Sequence, residues 1–489
     1  MIEYLFSVKK LAPRTSDEFA FTPITDATDL KKQISLKINK NKKMAISLKE
    51  TLFLVICFLL SFCGLHEGYE KISANILSTD EWIDNNHFRH LVDSKIIYGI
   101  LVSSYHISKG MASCLINIFI YYAYKQIGKK TLLQFLMATG LILNFIGAGM
   151  CVGSSFWIVY LIGKIFQGFS SGMNSVLIPF FIKFYIVDES TMYLAGVGTN
   201  LCSINTKNGT MTGYIILYCC KKWYKGTQKV WVYPNISPFV FTTMVAIGLA
   251  IYNVYYLPFL HKTTDPAQQG EFIELTSKEN YENIDFNAVF IGKKQAVLLG
   301  LFVLTLYSFN SVNYFLYYNN NEFAAFEEKD YDFSGLIYAT VYTIGGNLST
   351  LVPYGNLLHS TDKNQFRVYK KILKWTSFLT ALAFVIVVAV GYSKNHHNNN
   401  TDDSFLKTVF SFGTIIVFAQ VFLLEVPLNY ILIHFKILNS IDLYQLITYV
   451  AIVSDVAILL VTPVLMHAIG FLMCIIFGTS SMLLALTPM

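Results

Sequence analysis

Charge is scarce in this sequence. Of its 489 residues 14% are charged, while 54% are hydrophobic and 15% aromatic; ordinary soluble domains carry roughly 25% charge. With a mean hydropathy of +0.47, a chain whose main solvent is water is excluded. Cysteine offers little to a redox or metal argument. The eight cysteines, among them Cys57, Cys63, Cys114 and Cys151, are scattered through apolar stretches without ligand spacing, and Cys219-Cys220 is too little for a disulfide framework. His396-His397 sits in an asparagine tract and reads as solvated loop rather than metal site. There is no Walker motif, no intramembrane histidine box and no nucleophile elbow, which argues against an ATP-driven pump and against a membrane-embedded enzyme. No metal or cofactor is expected, and the chain is expected not to be an enzyme.

What the sequence has in quantity is apolar length. A helix needs about 20 apolar residues to cross a hydrocarbon core roughly 30 Å thick, and twelve such stretches occur, the first at 51–76 and the last at 467–486. Backbone amides in lipid must be satisfied within each segment, so the expected fold class is all-α: a polytopic membrane protein of twelve transmembrane helices. The longest polar interval, 261–294, divides them six and six. The expected organisation is therefore a basic cytosolic tail over 1–50, a six-helix bundle over 51–260, a cytosolic linker over 261–294 and a second six-helix bundle over 295–489. Two such bundles imply a central cavity and alternating access.

Orientation follows from the lysines. The tail carries Lys9, Lys10, Arg14, Lys31, Lys32, Lys37, Lys40, Lys42, Lys43 and Lys49, and basic loops stay in the cytosol. The loops with Lys125, Lys129 and Lys130 and with Arg367, Lys370, Lys371 and Lys374 fall on the same side, whereas Lys221, Lys222, Lys225 and Lys229 fall on the other and disagree. Two sequons, at Asn399 and Asn235, fall outside as glycosylation candidates. The alternative for Asn399 is a plain asparagine tract. The tail and the net charge of +6 are the topology signal and do not argue for nucleic acid; the bilayer is the expected partner.

Several segments then resemble the sugar porter (hexose transporter) family of the major facilitator superfamily. "KKQAVLLGLFVLTLYSFNSVNYFLYY", 293–318, is similar to that family's seventh helix with its QQLSGINxxFYY pattern, and puts Asn313 on the asparagine and Tyr317 and Tyr318 on the tyrosine pair. "YAYKQIGKKTLL" resembles the GRR/GRK motif, "GKIFQGFSSGMNSVLIPFFI" the GRxxxGxGxG segment, and "GYEKISANIL" the GYDxGVISGAL segment; "IGGNLSTLV" puts Asn347 on the eighth-helix asparagine. The resemblance implies the two-bundle major facilitator fold, with Asn313 and Asn347 binding sugar hydroxyls and Tyr317 and Tyr318 closing the outer gate. It also implies a plasma-membrane setting. Asn313 bonded to a neighbouring helix is the structural alternative.

The departures are as informative. The paired glutamines become Tyr307 and Ser308, Gln420 stands where the family has glutamate, and Leu428 where it has tryptophan. The second GRR motif, the PESPR motif and the PETKG tail are missing. Tyr307, Ser308 and Gln420 join the substrate-contact candidates. Ionisable groups inside spans are costly and face water or a partner; here they are His66, Glu67, Glu70, Lys71, Lys109, Lys164, Lys207, Glu425 and Asp455. The family's proton-coupling pair maps onto Glu70, or Glu67 in an ungapped alignment, with Lys164; Asp455 falls opposite the eleventh-helix asparagine. Solvated carboxylates at a helix mouth and a cytosolic lock at Lys164 are the bland alternatives. Gly163, Gly168 and Gly172 are expected to serve close helix packing rather than phosphate binding.

The expected function is transport of a hexose or similar small polyol, facilitative or proton-coupled. The alternatives are a same-fold carrier of an amino acid or organic ion and a sugar sensor that does not transport.

Overall fold

The computed structural model of the chain describes residues 48–88, 95–123, 129–182, 195–258, 298–303, 305–307, 309, 316, 331–351, 363–395, 413–424, 428, 453–454, 456–462, 464–465 and 474–487. The chain separates into two units, Met1–Thr51 and Leu52–Met489. Of the first, residues 48–51 are described and are helical. The helices numbered below belong to the second.

No strand occurs among the described residues. Helix α1 (Phe62–Tyr69) tightens into a 3-10 turn, Glu70–Ile72, before α2 (Ser73–Leu77) and the short α3 (Asp80–Asn85). Long helices follow: α4 (Lys95–Ala123), α5 (Lys129–Val152), α6 (Trp157–Phe181), α7 (Ala195–Tyr224) and α8 (Lys229–Ile251), the last ending in a π turn over Tyr252–Tyr256. In the carboxy-terminal half α9 (Tyr331–Leu351), α10 (Lys363–Asn395), a π turn over Ala419–Leu424 and α11 (Cys474–Leu486) are described. Among the described residues four stretches are both long and apolar enough to cross a membrane: Leu48–Leu77, Leu132–Val152, Lys229–Tyr256 and Arg367–Ala389. Large apolar side chains point outward along them; Phe135 and Trp375 are each 66% exposed. A surface of that kind belongs against lipid.

Glycines set how closely the helices approach. A Cβ added at Gly64 would lie 2.3 Å from the Cys202 carbonyl oxygen, and one at Gly209 would lie 2.0 Å from that of Leu65, so α1 and α7 run backbone to backbone. The same holds for α4 and α6, where a Cβ on Gly168 or Gly172 would meet the carbonyl oxygens of Tyr105 or Lys109 at 2.2 and 2.3 Å. The glycines of the "GKIFQGFSSG" segment thus serve helix packing, as their spacing suggests.

Prolines are handled as exactingly. Pro238 has no N–H to give the carbonyl of Pro234 one turn earlier, and the Tyr69 hydroxyl takes that place, donating to Pro234 O at 2.7 Å. The bond joins α1 to α8. Asn235 lies beside it and is only 1% exposed. Its amide donates to Trp231 O and its oxygen accepts from Tyr160. This corrects the glycosylation expectation for Asn235: a side chain held inside α8 by two partners presents no acceptor to solvent.

The buried apolar residues form two clusters. One gathers Phe53, Ile56 and Leu60 with Ile116, Met137, Leu177, Phe181, Tyr252 and Tyr256. The other gathers Tyr69, Trp82, Leu101, Tyr160, Leu217 and Trp231 from the amino-terminal half with Leu316, Tyr338, Phe384, Val417, Leu459 and Phe477 from the carboxy-terminal half. Because successive helices alternate in direction, the first holds one end of the amino-terminal bundle and the second holds the opposite end, where α1, α5 and α7 finish. At that second end the two halves share a core.

Candidate functional site

The spacing of α1 puts Glu67 and Glu70 one turn apart, and each finds a lysine on a different helix. Glu70 Oε2 accepts from Lys164 Nζ of α6 at 2.7 Å, the side chains 1% and 4% exposed. Lys164 also lies 5.4 Å from the centre of the Tyr160 ring. His66, one turn before Glu70, brings Nε2 to 3.5 Å from Glu70 Oε1, and its ring stands edge-on to Tyr105 at 5.9 Å. Glu67 instead meets Lys109 of α4 at 2.6 Å and keeps 29% of its side chain exposed. Both alternative acidic positions are therefore paired, but differently: Glu70 dry and locked, Glu67 open on one side. Burial disfavours a lone carboxylate, and a cation at contact distance offsets that cost. The close packing at Gly168 and Gly172 is what lets α4 and α6 stand near enough for these pairs.

A second group lies between the two halves. Lys207 of α7 donates from Nζ to Gly346 O of α9 at 3.2 Å, and the Thr343 hydroxyl donates back to Lys207 O at 2.8 Å. One residue on, Asn347 Nδ2 donates to Asn208 Oδ1 at 2.9 Å. Towards the shared apolar core, Lys71 Nζ lies 3.1 Å from the Tyr342 hydroxyl and 4.4 Å from its ring centre, and the Tyr214 hydroxyl donates to Leu316 O. Gly346 lets the Lys207 side chain lie against the α9 backbone, where an added Cβ would sit 2.1 Å from Lys207 Cδ and displace it. The seam offers amides, hydroxyls and the ammonium groups of Lys207 and Lys71. These are groups able to match a solute rich in neutral donors and acceptors.

The structure brings Glu67, Glu70 and Lys164 together in the amino-terminal bundle and puts Asn347 in the seam between the halves. Tyr307 is half-buried. Gln420 lies in the π turn Ala419–Leu424. Asn313, Ser308, Tyr317, Tyr318, Asp455, Glu425 and Asn399 lie outside the described residues. Sequence reasoning missed Asn208, Thr343 and Tyr342, whose only signal is a seam partner on another helix. It also missed a small cavity behind His66, lined in part by Asn144, Ser170, Asn174 and Thr242.

No protein-family model matches the chain. Among curated proteins it is 26% identical over 262 residues to hexose transporter HXT10 of Saccharomyces cerevisiae, covering 49% of this chain and 45% of that one. It is 24% identical over 205 residues to hexose transporter HXT17 of the same yeast, covering 40% and 34%. The matches thus span less than half the length of either relative. Among solved structures, the partially occluded inward-open xylose transporter XylE of E. coli superposes with a TM-score of 0.61 at 15% identity, over 89% of this chain and 97% of that one. The same transporter, described as a major facilitator superfamily proton:xylose symporter bound to 6-bromo-6-deoxy-D-glucose, gives 0.60 at 14%, over 89% and 95%. An auto-inhibited POT family peptide transporter gives 0.57 at 12%, over 89% and 95%. The fold is shared across carriers of unlike solutes, so it does not choose one.

Proposed function

We propose that this chain, a divergent sugar porter of the major facilitator superfamily, carries a hexose or similar small polyol across the membrane by alternating access. The observation that supports this most is the seam between the halves, where Asn347, Asn208 and Thr343 converge from α9 and α7. Neutral amides and hydroxyls can exchange their bonds to each other for bonds to sugar hydroxyls without uncovering a charge. Asn313, Tyr307, Ser308 and Gln420 join them as contacts in this reading, Tyr317 and Tyr318 close the outer gate, and the paired Glu70 and Lys164, or Glu67, with Asp455, link movement to protons. Two six-helix bundles joined by the 261–294 linker rock about the seam. The tail lies in the cytosol, the membrane is the plasma membrane, and Asn399 is the remaining candidate for a glycan. The similarity of half the chain to two yeast hexose transporters supports the solute class.

A second reading has its own observation. Lys207 in the seam and the half-open Glu67–Lys109 pair suit an amino acid or organic ion, since charged solutes need fixed counter-charges.

Radiolabelled glucose uptake into proteoliposomes, with and without an inward proton gradient, separates these. Saturable uptake competed by unlabelled hexoses and weakened about tenfold or more by Asn347→Ala supports the sugar reading, the loss corresponding to one or two hydrogen bonds. Competition by amino acids instead would move the assignment to the second reading. Sugar binding with no uptake under either condition would make the protein a sensor.

A further inference from the structure

The proton-coupling reading centres on Glu70, yet Glu70 is poorly placed to change its charge. Its carboxylate is locked on Lys164, both side chains almost wholly buried, and neutralising it would strand a buried ammonium. His66 stands in a different position. It is buried, touches Glu70, and backs onto a cavity of about 10 Å³ where Asn144, Ser170, Asn174 and Thr242 meet the apolar Phe62, Leu141, Phe241 and Val245. That is the smallest space able to take one water.

The hydrogen bonds around the cavity set what the imidazole faces. The Thr242 hydroxyl gives its single proton to Pro238 O at 2.7 Å, so Thr242 Oγ1 can only accept from the Asn144 amide nitrogen beside it. That same nitrogen lies 3.4 Å from His66 Nδ1. With the amide in this orientation the Nδ1 lone pair of a neutral ring can accept from Asn144, while Nε2 lies 3.5 Å from Glu70 Oε1. Asn144 Oδ1 and Asn174 Oδ1 are buried with no hydrogen-bond partner. Asn144 and Asn174 line the cavity behind His66, so their oxygens can accept from a group there that becomes a donor.

We propose that His66 takes up the coupling proton and that the Asn144 amide reads its charge. This rests on the proton-coupled carrier reading above. A proton from solvent adds to the Nδ1 lone pair, giving imidazolium, and no other bond is made or broken. The new Nδ1–H then opposes the Asn144 amide nitrogen. Turning that amide brings Oδ1 to the place now held by Nδ2, where it accepts from the ring and from the Thr242 hydroxyl, which leaves Pro238 O. One proton on α1 thus changes contacts on α5 and α8.

The groups facing His66 suit this. Its own helix supplies Glu70, with Glu67 on the adjoining face and Cys63 one turn earlier. From α6 comes Lys164, held by Glu70, and from α4 come Tyr105, edge-on to the ring, and His106 with Lys109, the latter held by Glu67. Cys202 of α7 lies beside Cys63. At the cavity α5 and α8 present the neutral Asn144 and Thr242.

The test uses the full chain. Infrared difference spectra between about pH 5 and about pH 8, the range in which histidine ordinarily titrates, should show an imidazole band pair and an asparagine amide shift. Subtracting the His66→Gln spectrum, where a neutral amide replaces the ring, from that of the parent with its ten histidines should leave the His66 band pair together with the amide shift, and Asn144→Ala should remove the amide shift alone. In proteoliposomes the ratio of solute uptake with and without a proton gradient should fall to about one in His66→Gln, the value of an uncoupled carrier. A His66→Gln spectrum identical to wild type, or a ratio unchanged by that substitution, would overturn the proposal. Intact bands without uptake of any solute would overturn the link to transport while upholding His66 as the proton acceptor.

Discussion

A carboxylate stripped of water keeps its charge only while a cation stays within reach, and Glu70 has Lys164 at 2.7 Å. Removing one partner is the severe change. Lys164→Ala should lower stability by about 3–5 kcal/mol because a buried charge is left alone, whereas Glu70→Gln with Lys164→Met together should recover most of that. Unfolding in mixed micelles of rising SDS content checks both; equal losses in the single and double variants would mean the pair contributes nothing beyond its volume. The pair itself was legible in the sequence. "GYE" and "GK" stand at familiar motif positions, and an ionisable residue in an apolar run announces itself. The neighbours that decide its behaviour were not legible. Asn144 and Thr242 reach His66 from helices far apart in the chain, and a neutral polar residue on a long helix has no pattern that names its partner.

At the level of elements, contact is set by missing side chains. Gly68 packs so tightly that a Cβ there would fall 1.7 Å from Thr206 O, while one on Gly149 would find only Phe239 at 3.8 Å. Gly68→Ala should therefore force α1 from α7 and cost about 1–3 kcal/mol. Gly149→Ala should stay within about 0.5 kcal/mol of the parent. The same unfolding assay reads the difference, and a neutral Gly68→Ala would mean α7 can yield there. Helix existence was readable from apolar length alone. The 3-10 turn at Glu70–Ile72 and the π turns at Tyr252–Tyr256 and Ala419–Leu424 were not, since each is a local answer to packing and none has a composition of its own.

On the scale of the molecule, the described residues of the two halves meet in an apolar cluster and a polar seam. The cluster alone would make a permanent joint. The seam adds bonds that a solute can replace, and Lys207 is its most costly member to leave unmatched. Lys207→Met keeps the length and loses the bond to Gly346 O. The halves should then part more often, and a cysteine placed at Asn347 should react several-fold faster with an impermeant thiol reagent, a few-fold shift in population being what one lost hydrogen bond of about 1 kcal/mol gives. Unchanged reactivity would remove the seam from the moving parts. The polar 261–294 interval, from which a division into two sets of helices is expected, lies outside the described residues. Which residues form the seam was not legible, because α7 and α9 come from opposite sides of it.

The Tyr69 hydroxyl bonded to Pro234 O also bears on how the protein is made. A peptide carbonyl without a donor is costly in hydrocarbon, and Pro238 leaves one in α8 that no residue of α8 supplies. Because α8 is synthesised after α1, a partner for that carbonyl is already made when α8 emerges, and docking on α1 spares α8 from facing lipid with the carbonyl uncovered.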